Sequence, residues 1–177
     1  MNHNEPQLTA AYMQTLLGEM LAIFKNATLC LLEYTDNQKL QKTQSNIEKY
    51  FGEKINFVEN NFSEQLQNEL NAYFDQKLTC FSTQLSPIGT CFQQKVWQIL
   101  QTIPYGQTIS YKQQSQQYGD HKAIRAIASA NGKNPISILI PCHRVIGSNG
   151  TLVGYAGGLW RKQKLLEIEN VLTSSLF

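Results

Sequence analysis

Two helix-start signals, each matched by a stop, constrain the second half of this chain more than any other feature. Thr90-x-x-Gln93 and Ser110-x-x-Gln113 both have the form of a capping box: the hydroxyl accepts from a backbone N–H three residues on, and the amide side chain reaches back. After the first box, Phe92, Val96, Trp97, Leu100 and Ile103 recur at helical spacing until Pro104-Tyr105-Gly106 stops the run. After the second, Gly119 suits the C′ position of a short helix ending near Tyr118. A third helix is expected from about His121 to Asn131, closed by Gly132. Short helix, glycine turn, second helix is the helix-turn-helix order. The third helix is rich in Ala around Arg125. Such a face either packs tightly in a core or lets a partner's backbone come close, and Arg125 favours the partner.

Ser86-Pro87-Ile88-Gly89 breaks the chain, so domains are expected over 1–85 and 86–177. The first half reads as α/β. Met20 to Lys25 and Thr28 to Tyr34 form a hairpin pattern around Asn26-Ala27. Gln38 to Phe51 carries a helical stripe ended by Gly52, Ile55 to Val58 reads as a strand, and Phe62 to Phe74 as a helix. Nothing in this half looks like chemistry. Its charge is distinctive, however: residues 1–85 hold 6 Lys against 10 Asp/Glu, and residues 86–177 hold 9 Lys/Arg against 3 Asp/Glu. A basic half beside an acidic one suggests that the basic half faces a polyanion.

No run of eighteen apolar residues occurs, so no membrane span is expected. Met1-Asn2-His3-Asn4-Glu5 lacks the basic-then-apolar pattern of a secretory signal. Cys30, Cys80, Cys91 and Cys142 are irregularly spaced, which argues against a disulfide framework or zinc ribbon and fits a reducing cytoplasm.

The chemistry points to Pro141-Cys142-His143-Arg144-Val145. Ile136 to Ile140 reads as a short buried strand, with Cys142 at its tip. Most unpaired cysteines are small buried hydrophobes. Here His143 and Arg144 adjoin the thiol, and either could stabilise a thiolate. Adjacent residues of an extended chain point opposite ways, so His143 serves Cys142 only if the chain turns or a water bridges them. Asn149, Glu167, Glu169 and Asn170 are the groups available to orient the imidazole, the last three at the end of a helix over about 159–170 with Leu159, Leu165, Leu166 and Ile168 as its apolar positions.

Over Gly89 to Glu169 the chain resembles the C-terminal domain of the O6-alkylguanine-DNA alkyltransferases, also called methylated-DNA–protein-cysteine methyltransferases. The resemblance rests on Gly89-Thr90-x-Phe92-Gln93-x-x-Val96-Trp97, Ile103-Pro104-x-Gly106-x-Thr108-x-Ser110-Tyr111, Arg125-Ala126, Asn134-Pro135, the Pro141–Val145 run, and Gly154-Tyr155-x-Gly157-Gly158-Leu159. It implies a ribonuclease-H-like α/β N-terminal domain and a mainly α C-terminal domain with a winged helix-turn-helix. It implies Cys142 as alkyl acceptor, His143 as its base through a water, Glu169 as the acid orienting His143, and Asn134 as shaper of the turn. Tyr111 would help rotate the nucleotide and donate a proton, and Arg125 would fill the stack left by a flipped base. Ser110, Ala123 and Ala126 would join them on DNA, and Val153, Tyr155 and Ala156 would wall the lesion pocket. The implied reaction is a single-turnover transfer from O6-alkylguanine, and from O4-alkylthymine, in double-stranded DNA, by a monomer without cofactor. Some relatives hold zinc in the first domain, but His3, Cys30 and Cys80 do not reproduce that spacing, so no metal is expected. Gln114-Ser115 stands where the family often has Leu-Ala, and His121 replaces a common proline, which bears on DNA affinity. The competing readings are a helix-turn-helix regulator or lesion binder, and a cysteine hydrolase built on Cys142 and His143.

Overall fold

The computed structural model describes residues 8–172, and the chain divides into two compact units between Pro87 and Ile88. The first unit is built on a four-stranded sheet. β1 (Leu8–Met13), β2 (Met20–Lys25) and β3 (Thr28–Tyr34) pair antiparallel in sequence order, and the short β4 (Asn56–Phe57) joins β1 in parallel, giving the order β3-β2-β1-β4. Met20 to Phe24 are all buried, as expected of a central strand covered on both faces. α1 (Leu40–Phe51) stops at Gly52, and α2 (Asn61–Phe74) packs on β1. α2 starts on a capping box: the Asn60 side chain accepts from Phe62 and Ser63 N–H, and Ser63 Oγ accepts from Asn60 N–H.

β1 is absent from the sequence reading. Its Leu-Thr-Ala-Ala-Tyr-Met has too little β-branched character to declare a strand, and its two neighbours in the sheet impose that state.

The second unit holds α3 (Cys91–Gln101), α4 (Tyr111–Tyr118), α5 (Ile124–Asn131) and α6 (Leu159–Ile168), with β5 (Ile109–Ser110) paired in parallel to β6 (Val145–Ile146). Both capping boxes form at Thr90 and Ser110. Gly119 takes φ 95° at the end of α4, a left-handed conformation that costs a glycine nothing. The buried Trp97 indole donates to Ala130 O at 2.9 Å and so pins α3 to α5.

Three expectations are corrected. α5 begins at Ile124, not near His121, because Asp120 Oδ1 accepts from Lys122 N–H at 2.8 Å and holds a local turn there. Ile136 to Ile140 is not a strand. Its residues are buried, but Ile138 sits at φ 72°, and the backbone bonds run within the segment: Leu139 N–H to Ser137 O and Ile140 N–H to Ile136 O. An apolar run this short reads the same in a buried strand and a buried turn. Leu159, assigned to the apolar face of the last helix, is 48% exposed. Among the described residues no helix is long and apolar enough to cross a membrane.

Candidate active site

Pro141 leads into a single 3₁₀ turn, Cys142–Arg144, so the three side chains that sequence placed side by side diverge. Asn134 shapes the approach to that turn. Its Oδ1 accepts from Ile136 N–H at 3.0 Å, and its Nδ2 lies 2.7 Å from Ile140 O and 3.3 Å from Cys142 Sγ. One buried amide therefore closes the loop before the cysteine and touches the sulfur itself.

His143 is wholly buried, and its Nε2 lies 2.8 Å from Glu169 Oε1. Burial alone would raise the Glu169 pKa. The hydrogen bonds and charges of His143 and Arg144 overcome that and hold it down at about 2. Glu169 is thus a carboxylate near neutral pH, so Nε2 must carry the proton it donates. Burial pushes His143 below its ordinary pKa despite Glu169, which keeps the ring neutral. A neutral ring with Nε2–H presents a lone pair on Nδ1, and among the described residues no side chain or backbone group bonds that atom.

The Arg144 guanidinium is engaged by Glu169 and a backbone carbonyl. Its Nε donates to Glu169 Oε2 and its Nη2 to Oε1, both at 2.9 Å, and Nη1 donates to Ile103 O at 2.6 Å. Gly106 N–H adds a longer bond to Oε2 at 3.3 Å. Glu169 caps the C-terminus of α6 and is 1% exposed. Glu167, the alternative, is occupied by Lys164 and Gln163.

Tyr111 opens α4 and donates from its hydroxyl to Val153 O at 3.2 Å. Burial, and then the nearby Cys142 charge, push the phenol above its ordinary pKa, so it stays protonated. A Cβ at Gly154 would come within 3.3 Å of the same hydroxyl, and that close approach is open to glycine. The loop reaching Val153, Tyr155 and Ala156 leaves Val153 and Ala156 exposed and Tyr155 half-buried.

Lys162 was missed by the sequence reading. It is fully buried, and Nζ donates to Val145 O at 2.6 Å, Val153 O at 2.7 Å and Gly154 O at 3.1 Å. Burial lowers its pKa to about 8, partly opposed by Cys142. The available signal was its helical spacing with Leu165, Leu166 and Glu169, which puts it on the inward face.

Two buried contacts thus meet at one 3₁₀ turn, Asn134 with Cys142 and His143 with Glu169, and Tyr111 is tied to the same region through Val153. Arg125 and Ala126 lie exposed on α5, outside this buried network. Ala123, at the N-cap of α5, is half-buried, and Ser110 is half-buried with its Oγ engaged by Gln113 N–H. Ala128 and Ser129 are exposed as well, so much of the small-residue surface of α5 faces solvent. No group of three His, Cys, Asp or Glu able to hold a metal occurs among the described residues.

Residues 91–171 match the family model described as the DNA-binding domain of 6-O-methylguanine DNA methyltransferase. A methylated-DNA–protein-cysteine methyltransferase of Mycobacterium leprae is 52% identical over 118 residues, 66% of this chain and 72% of that relative. A Mycobacterium bovis protein of the same description is 55% identical over 102 residues, which are 58% of this chain and 62% of the relative. Among solved structures, Mycobacterium tuberculosis OGT in complex with DNA superposes with a TM-score of 0.80 at 37% identity, covering 91% of this chain and 92% of the other.

Proposed function

The chain belongs to the methylated-DNA–protein-cysteine methyltransferase family, and we propose that it repairs DNA by moving an alkyl group from guanine O6, and from thymine O4, directly onto Cys142. The observation that carries this reading is the buried line Cys142–Asn134 beside His143–Glu169. An alkyl carbon on guanine O6 is a poor electrophile and requires a thiolate, yet a thiol of ordinary pKa is only a few per cent ionised near neutral pH. His143 Nδ1 takes the thiol proton through a bridging water, and Glu169 stabilises the imidazolium that results. Sulfur then bonds to the alkyl carbon as the C–O6 bond breaks, and Tyr111 gives its proton to the departing guanine. The charge of Cys142 acting on the Tyr111 phenol supports its place beside the reacting sulfur.

The target carbon lies inside the duplex, so the nucleotide must be flipped out, which costs a few kcal/mol. In this reading α4 and α5 form a winged helix-turn-helix laid in the minor groove. Arg125 fills the vacated stack, Ser110, Ala123 and Ala126 line the contact, and Val153, Tyr155 and Ala156 wall the pocket. The exposure of Arg125 and of Ala126 beside it supports that assignment. Nothing in the network hydrolyses a thioether, so each molecule reacts once. The first unit acts as a ribonuclease-H-like support, and the protein works as a cytosolic monomer without cofactor.

The test is mass spectrometry after incubation with an O6-methylguanine duplex. One added methyl on the Cys142 peptide, absent in Cys142→Ala while that variant still binds the duplex, is the expected result. A folded protein that gains no mass refutes repair, and turnover on esters or peptides without DNA would instead make it a hydrolase.

A further inference from the structure

α4 is held in the fold by an unusual face. Its sequence is Tyr-Lys-Gln-Gln-Ser-Gln-Gln-Tyr, and its only buried residues are Gln114 and Ser115. Gln114 is fully buried and Asn131, at the end of α5, is 4% exposed. The two amides exchange both hydrogen bonds: Gln114 Nε2 to Asn131 Oδ1 at 3.1 Å, and Asn131 Nδ2 to Gln114 Oε1 at 2.7 Å. Ser115 satisfies itself on Lys112 O. An apolar contact tolerates sliding, whereas a buried amide pair loses heavily if either bond is broken, so it specifies one register between its helices.

What that register controls can be read from the flanking residues. Tyr111 precedes Gln114 by three positions and so shares its side of α4. Asn134 follows Asn131 by three, and its N–H donates to Asn131 O at 3.2 Å. The amide pair therefore spans from the helix that carries the Tyr111 phenol to the turn that holds Cys142 Sγ. The β5–β6 ladder fixes the other end of the same relationship, just before Tyr111 and just after Arg144.

We infer that Gln114 and Asn131 are positioning residues: their reciprocal amide bonds set the Tyr111 hydroxyl against the Cys142 sulfur. This rests on the alkyl-transfer reading, in which Tyr111 is the proton donor.

The experiment measures single-turnover methyl transfer from an O6-methylguanine duplex, with thermal melting alongside, for the wild type, Gln114→Leu/Asn131→Leu, and each of these combined with Tyr111→Phe. A displacement on the ångström scale slows transfer by roughly tenfold or more. The double leucine variant should therefore melt within a few degrees of the wild type yet react roughly tenfold more slowly. Tyr111→Phe should then cost it much less than it costs the wild type, because the phenol is already misplaced. A double variant that reacts at the wild-type rate, or one in which the Tyr111→Phe loss is undiminished, overturns the inference. Gln114→Leu alone, crossed with Tyr111→Phe, carries the same two outcomes if the double variant does not fold. A wild-type protein that transfers no methyl refutes the alkyl-transfer reading itself, and is thereby told apart from failure of the clamp.

Discussion

Glu169 Oε1 sits 2.8 Å from His143 Nε2 while the same carboxylate takes a two-pronged contact from Arg144, and both acid and imidazole are sealed from solvent. Glu169 thus has two duties: it fixes the histidine tautomer, and it neutralises a buried guanidinium.

Removing it should cost on both counts. Glu169→Ala leaves Arg144 buried without its partner, and breaking a buried pair on one side destabilises by about 3–5 kcal/mol. Glu169→Gln keeps the shape but loses the charge, and methyl transfer should fall by roughly 10²–10⁴-fold with loss of the oriented base. Chemical denaturation and single-turnover rates measured on the two variants check this. A Glu169→Gln protein reacting at the wild-type rate would remove Glu169 from the proton path.

Acid should unfold the second unit through these same groups. The unfolded His143 ring takes a proton below its ordinary pKa of 6.5, while the folded ring, depressed by burial, stays neutral. The unfolded Glu169 carboxyl takes one below 4.5, while the folded one resists until about 2. In both cases the unfolded state binds more protons, so stability falls as pH drops. Urea midpoints recorded from pH 7 downward should decline, and Glu169→Gln should flatten the part between pH 4.5 and 2.

Lys162 joins the Val153–Gly154 loop to β6 through three carbonyls. Lys162→Met removes the donor those three carbonyls share and lets the loop drift, so transfer should slow by roughly 10-fold or more. The folded amine releases its proton near pH 8, whereas the unfolded one holds it until 10.5. Its contribution to stability therefore rises with pH across that window. Comparing wild type with Lys162→Met in denaturant titrations from pH 7.5 to 10 isolates this effect.

Arg125→Ala should weaken reaction with O6-methylguanine in duplex DNA far more than with the free alkylated base, since only the duplex needs its stack refilled. Parallel rate measurements on the two substrates decide it, and equal losses on both would exclude the role.

Much of the fold was legible because it depends on local chemistry. Thr90 and Ser110 announce helices by bonding three residues ahead, and Gly119 ends one by a backbone conformation. The hairpin around Asn26-Ala27 carries its own turn. β1 was illegible because its strand state comes from the partners on either side. The segment 136–140 was misread because apolar burial is the same in a turn as in a strand. The site was legible only in part. Proximity in sequence linked Arg144 to Cys142, but nothing in it announced that the guanidinium also grips Glu169, twenty-five residues on. No spacing rule joins residue 134 to 142, or 143 to 169; the resemblance named those residues, and tertiary structure makes them neighbours.

The turn before Cys142 has its shape written in one side chain. Asn134 answers Ile136 N–H, Ile140 O and the cysteine sulfur at once, and the side chains of Ile136, Leu139 and Ile140 need only be apolar and fit. Tolerance to substitution should therefore be sharply uneven between Asn134 and Cys142. Ile136, Leu139 and Ile140 should accept exchanges among aliphatic residues. Position 134 should accept nothing, because a single replacement there erases the geometry of the whole loop.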